Sequence, residues 1–372
     1  LELFMELALL RPLYDSAAEQ FISVHLDTSR LDQDSDKRLE LTWQALRRDL
    51  EGQGVEEATL AALDGEVGAS PHIVGPQGES LFAADGRVLG TFALSEPPPV
   101  SRAVVAPVVD PLETVLDLDH QLPYAVVALD RAGGDIEAYP AGAYDPATRR
   151  TYDGTSLHLT RVRAGGPSMG SYHRRSVNAW TDNAAGVAQE TAEAANSVDA
   201  AVVFLGGDPK AVPLLREQLA ALNLDAEIVE VAGGRAREDA LATLREAVDE
   251  ALAEQSRTEH EKVMTAYQDA LGQGLAVHGI PAVTAALAQG NVERLLLAAD
   301  RPADLELWAA RNDERLVGSA PDELGSHADS AFQADAGLLM LRAATATGAE
   351  FSEMLPDLTA DDGCAAILRF AQ

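Results

Sequence analysis

Apolar residues along this chain fall into short unbroken runs, strict alternations and three-to-four-residue spacings, and each pattern predicts an element. Residues 21–26 (Phe-Ile-Ser-Val-His-Leu) read as a strand. Leu39, Leu41, Trp43, Leu46 and Leu50 have the spacing of a helix. Residues 80–92 read as a hairpin with Asp85-Gly86 at its turn, because that pair accepts the positive φ a tight turn needs. Pro97, Pro98 and Pro99 exclude a central strand or helix and mark a connection, after which 103–106 is a short strand. From Leu122 the pattern changes to alternating strands and helices. Residues 124–129 and 135–139 predict a hairpin around Gly133-Gly134, and 157–162 a further strand. An Ala-rich helix is expected from about 173 to 196, a buried strand over 200–205, a helix over 210–222, a strand over 227–231 and a charged helix over 235–254. The last block predicts helices over 259–271, 280–289 (with Pro281 in its first turn) and 332–344, and strands over 294–298 and 365–370.

This order implies an α/β protein of three domains, each a mixed sheet flanked by helices: 1–120, 121–255 and 256–372. No run of 18 apolar residues occurs, so no transmembrane helix and no membrane partner are expected. Residues 1–10 are apolar but carry Glu2 and Glu6, with no basic segment or small-residue cleavage site, so they do not read as a signal peptide. Cys364 is the single cysteine, which excludes an internal disulfide and a cysteine zinc site. A reducing cytoplasm fits, and neither a metal nor a cofactor is expected.

The net charge of −32 argues against nucleic acid if it is spread evenly, because phosphates repel an acidic surface. It is not spread evenly. Residues 147–176 hold Arg149, Arg150, Arg161, Arg163, Arg174 and Arg175 against a single acid, Asp153, a local balance of +5. Arginine suits phosphate through its planar fork of donors. Tyr152, His158, Tyr172 and His173 are interleaved with these arginines and could stack on unpaired bases. The plainer alternative is a solvated surface, or internal ion pairs with neighbouring acids.

At the centre lies Gly165-Gly166-Pro167-Ser168-Met169-Gly170-Ser171. As a P-loop it fails, since Ser171 stands where the phosphate-binding lysine belongs. As a nucleophile elbow, Gly166 to Gly170 satisfies G-x-S-x-G, with His260, His278 or His327 downstream as possible bases. Against this, the following helix opens with the polar Tyr172-His173-Arg174-Arg175 rather than with core residues.

The segment also resembles the class-I release factors of archaea and eukaryotes and the related Pelota proteins. In that family a strand leads to an exposed Gly-Gly-Gln loop and then to a long helix with basic residues. Here 157–163, Gly165-Gly166 and the helix opening at Tyr172-His173-Arg174-Arg175 look alike. Residues 279–290 followed by 292–297 are similar to the family's C-terminal helix and strand. The likeness is closest to a bacterial branch of the superfamily that includes ribosome hibernation factors. It implies a cytoplasmic protein that occupies the ribosomal A site. Its RNA contacts would come from Arg149, Arg150, Arg161, Arg163, Gly165, Gly166, Pro167, Tyr172, His173, Arg174 and Arg175. Elongation factor Tu is a candidate carrier. The glutamine that helps place water for peptide release is replaced by Pro167, which has no side-chain donor and no backbone N–H. Catalytic residues are therefore not expected. The rival reading keeps activity: a peptidyl-tRNA hydrolase or a release or rescue factor.

Overall fold

The computed structural model describes residues 5–69, 75–143, 145–154, 169–235, 237–302, 305–356, 358 and 360–371, with the side chains of 169–177 left undescribed. Two compact units emerge. Gln121–Arg257 form one; the described residues up to His120, together with those from Thr258 onward, form the other.

The first unit is built on a five-stranded mixed sheet in the order Glu227–Glu230, Val202–Gly207, Tyr124–Leu129, Gly133–Tyr139, Thr148–Asp153. The first three strands run parallel and the last two are added antiparallel. Alternation along each strand gives the sheet two different faces. Ala125, Val127, Leu129, Ile136 and Ala138 face helices Met169–Asn196 and Val212–Ala221, packing on Val187, Leu215 and Leu219. Ala128, Val202 and Phe204 pack instead on Leu244 and Val248 of helix Glu238–Gly272. Each fully buried aliphatic or aromatic side chain of this kind contributes about 1.5–3 kcal/mol.

Among the described residues the second unit contains three sheets. One is four-stranded, in the order Arg87–Leu94, Gly78–Ala84, Phe21–Asp27, Arg102–Ala106. Asp85 and Gly86 have φ of 50° and 75°, so the expected tight turn is present. A five-stranded sheet has the order Met5–Glu6, Glu350–Met354, Val292–Ala298, Cys364–Leu368, Ala276–His278, and a three-stranded one joins Val317–Gly318, Glu306–Ala310 and Ala331–Asp335. A single apolar cluster draws on both parts of the chain: Leu7, Leu10, Phe82 and Val109 pack with Val283, Leu297, Leu339 and Phe351.

The α/β class is as expected, with several sheets flanked by helices, and four local differences have physical causes. Helix Glu238–Gly272 is continuous where two helices were expected, because 255–258 (Gln-Ser-Arg-Thr) supplies no Gly or Pro to stop it. Residues 331–335 form a strand, and the helix begins only at Ala336. Asp335 marks that start by accepting a hydrogen bond from the Leu338 amide at 3.1 Å. Gly133 and Gly134 stand within their strand rather than at the turn, which is closed by Asp130 Oδ1 accepting from the amides of Ala132 and Gly133. Strand Thr148–Asp153 was not expected, since its polar residues lack apolar alternation. The strand expected over 157–162 lies outside the described residues. Among the described residues no helix is long and apolar enough to cross a membrane, and no cluster of three His, Cys, Asp or Glu could hold a metal ion.

Candidate nucleic-acid interface

The basic window begins on strand Thr148–Asp153, whose register fixes where each side chain points. Glu137 pairs with Arg149, Ile136 with Arg150 and Gly134 with Tyr152. Successive strand residues face opposite sides, so Arg149 and Arg150 cannot share one patch. Arg150, with Thr148 and Tyr152, faces helix Met169–Asn196. Its Nη1 donates to Glu190 Oε2 at 2.7 Å and to Glu193 Oε2 at 2.6 Å. Those two carboxylates, Glu190 first, raise its pKa further. Thr148 Oγ1 meets Ser197 Oγ at 3.0 Å on the same side.

Tyr152 is a packing residue. It borders the apolar cluster under this helix, and a Cβ at Gly186 would overlap its ring. The helix carries glycine there because the tyrosine occupies the space a larger residue would need. A base-stacking role for Tyr152 does not fit this placement.

Arg149 points to the other side of the sheet. Its Nε donates to Glu137 Oε1 at 3.1 Å, and 64% of the side chain remains exposed. Glu137 also accepts from the Tyr139 hydroxyl at 2.8 Å, and the Tyr124 and Tyr139 rings stack with centroids 4.7 Å apart. Burial pushes the Tyr124 pKa up to about 12, so that hydroxyl stays protonated at neutral pH. The first two arginines of the window therefore already have carboxylate partners, as the plainer sequence reading anticipated. Their charge is partly spent inside the unit.

Arg161, Arg163, Gly165, Gly166, Pro167 and Ser168 lie outside the described residues, as does His158. Tyr172, His173, Arg174 and Arg175 fall on helix Met169–Asn196, where the backbone alone is described. At 1.5 Å per residue, those four positions stand roughly 12–17 Å along the helix from Asn183. Asn183 is where the helix meets the hairpin turn and the residue after strand Thr148–Asp153. Its Nδ2 donates to the Arg131 carbonyl at 2.9 Å, and its side chain fills the space beside Gly154.

One contact near this point was missed at the sequence level. Arg131, at the turn of the first hairpin, stacks over the Trp180 ring at 5.0 Å and pairs through Nε with Asp208 Oδ2 at 3.0 Å. Trp180 lies about one helical turn before Asn183 and extends the apolar stripe of Ala184, Val187 and Ala188; a tryptophan continuing that stripe was the available signal. Arg235, outside the basic window, bridges Asp135 at 2.8 Å and Asp153 at 3.2 Å.

The weaker candidates resolve as structure. Gly207 has φ of 154°, and Asp208 caps the turn by accepting from the Lys210 amide at 2.8 Å, so Gly206-Gly207-Asp208 is a tight turn. In the second unit, His25 is buried with Nδ1 2.8 Å from Ser80 Oγ, and Trp43 donates to Asp64 at 2.8 Å. Two of the three histidines offered as bases for Ser168 meet carboxylates: His260 with Asp119 at 2.7 Å and His278 with Asp361 at 3.3 Å.

Comparison with known proteins bears on the first unit most directly. Residues 123–273 match the family described as bacterial archaeo-eukaryotic release factor family 2. The Mycobacterium tuberculosis (strain ATCC 25618 / H37Rv) protein "Uncharacterized protein Rv2629" is 29% identical over 364 residues, 96% of this chain and 95% of that protein. Among solved structures, the chain is similar to an archaeal translation termination factor, aRF1, at 19% identity and TM-score 0.24, covering 98% of this chain and 97% of that one. It is similar also to Saccharomyces cerevisiae Dom34, a translation termination-like factor, at 9% identity and TM-score 0.41, covering 80% and 79%.

Proposed function

We propose that this protein is a release-factor-like factor that binds the ribosome without releasing peptide. The observation that carries the reading is one coincidence: the stretch matching the release-factor family contains the chain's one concentrated basic window, with Gly165-Gly166 at its centre. The ion pairs of Arg149 and Arg150 shift the weight of RNA binding onto Arg161, Arg163, Arg174 and Arg175. Tyr172 and His173 add flat side chains between them, suited to unpaired bases. Helix Met169–Asn196 presents four of these positions at its N-terminal end, where unsatisfied backbone N–H groups also favour phosphate.

Pro167 sets the chemistry. Without the glutamine of the family's Gly-Gly-Gln loop, the loop can occupy its place without positioning water. This is the behaviour of a hibernation factor of the Balon type, which holds the A site of an idle ribosome and reaches it with elongation factor Tu. In this reading residues 1–120 approach the decoding site, 121–255 carry the loop to the peptidyl-transferase centre, and 256–372 meet the translation GTPase. The acidic remainder of the chain limits non-specific RNA binding. The test is a quadruple change of Arg161, Arg163, Arg174 and Arg175 to Glu. It should abolish co-sedimentation with ribosomes while the circular dichroism spectrum and melting temperature stay near wild type. Undiminished binding at moderate salt would show that the window is only surface.

A further inference from the structure

A cavity of about 140 Å³ lies in the second unit, between the segment from Tyr14 to Phe21 and the residues Arg311, Asn312 and Glu314, with Phe332 and Arg342 beside them. Two of its walls are polar groups that the fold leaves unfinished. The Tyr14 side chain is 7% exposed, and its hydroxyl is fully buried with no hydrogen-bond partner. Burial raises its pKa, so the group is a donor and not a phenolate. Arg342, also 7% exposed, spends its contacts on backbone: Nη1 donates to the Ala310 carbonyl at 3.0 Å and Nη2 to the Arg311 carbonyl at 3.3 Å. Those carbonyls hold the guanidinium in place but do not neutralise it. Arg311 brings a second positive charge to the same wall. Both guanidinium groups lie on the Phe332 ring, at 5.0 Å for Arg311 and 5.6 Å for Arg342.

We propose that this cavity is a binding site for a small oxyanion, a phosphate or a carboxylate group, held by Arg342 and the Tyr14 hydroxyl and closed by Arg311. A buried guanidinium with no ion pair among the described residues and an orphaned hydroxyl each cost stability when buried apart from a partner. One oxyanion between them answers both at once. Size fits this class: a water takes about 30 Å³ of liquid, so the space admits a phosphate or carboxylate group with a water or two. Asn312 adds a neutral polar group to the wall. Glu314 and Glu19 line it as well, and the Glu314 charge acts on both Tyr14 and Arg342. Glu314 therefore competes with the ligand for the same positive charge and sets the affinity low enough for exchange.

The experiment titrates the full chain with sodium phosphate and, separately, sodium acetate, at ionic strength held constant with chloride. Heat of binding and melting temperature are both read. Saturable one-to-one binding of either anion, with a rising melting temperature, is the expected result. Which anion binds tighter separates a phosphate from a carboxylate source. Tyr14→Phe removes a hydroxyl that no protein group uses, so it should fold normally and weaken binding at least tenfold. Arg311→Gln, at the surface, should weaken it similarly, and Glu314→Gln should tighten it. Two results would overturn the proposal: melting temperatures that follow ionic strength alone, which would leave the cavity to water, or binding that Tyr14→Phe and Arg311→Gln leave unchanged. Ribosome binding is not read in this experiment, so its outcome stands apart from the proposed function.

Discussion

Gly186→Ala on helix Met169–Asn196 has two opposed effects whose balance reports where Tyr152 lies. In an open helix the change stabilises by about 1 kcal/mol, because glycine has the greater backbone freedom to lose. Here the new methyl would overlap the Tyr152 ring. Forcing an extra methyl into a packed contact costs about 1–3 kcal/mol. The net expectation is destabilisation of up to about 2 kcal/mol in the wild-type background. In a Tyr152→Ala background the obstacle is gone, and the same substitution should stabilise by about 1 kcal/mol. The coupling between the two positions is then about 1–3 kcal/mol, within reach of a double-mutant cycle. Urea denaturation of the four proteins, with amide exchange on the helix to confirm which unit unfolds, measures it. If Gly186→Ala stabilises both backgrounds equally, the ring is not on the helix. Strand Thr148–Asp153 would then face the other way, and Tyr152 would be free for a base while Arg149, not Arg150, met the helix carboxylates.

Three further outcomes follow. Burial, reinforced by Arg102, lowers the His25 pKa, so as pH falls the unfolded chain, whose histidine titrates near about 6.5, takes up its proton before the native state does. Stability should fall with pH below that point by up to about 1.4 kcal/mol per pH unit more steeply in wild type than in His25→Asn; parallel pH profiles would contradict it. Ser168→Ala should leave an ester or peptidyl-tRNA assay unchanged because wild type is already silent, whereas turnover that disappears with the hydroxyl would establish the nucleophile-elbow reading. The pair Gly165→Val and Gly166→Val should lower ribosome affinity with little change in melting temperature, given about 1–3 kcal/mol of backbone strain per β-branched residue at positive φ. A large loss of melting temperature with binding kept would assign those glycines to a packed turn.

Much of the first unit could be read before its structure, because its strands are apolar runs and its turns carry glycine and aspartate. The strand expected over 200–205 and the helix expected over 210–222 are found at Val202–Gly207 and Val212–Ala221. The edge strand Thr148–Asp153 was hidden for the opposite reason: an edge strand needs one apolar side at most, and this one spends its alternate positions on Arg150 and Tyr152 packed against a helix. The charge of Arg149 and Arg150 was legible, but their partners were not. Glu137 is 12 residues away, Glu190 and Glu193 about 40, and only the fold brings them together. The oxyanion cavity was illegible for the same reason, since Tyr14 and Arg342 come from opposite ends of the chain. The helix boundary at Asp335 could have been found from its capping side chain, had the Phe332 and Ala334 alternation been weighed as strand.

Wild-type binding to purified ribosomes across a salt series tests the central claim most directly. Log affinity should fall linearly with log salt, and each phosphate contact contributes about 0.7–0.9 to the slope. Four arginine–phosphate contacts would give a slope of about −3, and the quadruple glutamate variant should not bind at any salt concentration. Ribosomes that never retain the wild-type protein, or binding whose affinity is flat in salt and survives the four glutamates, would contradict the account.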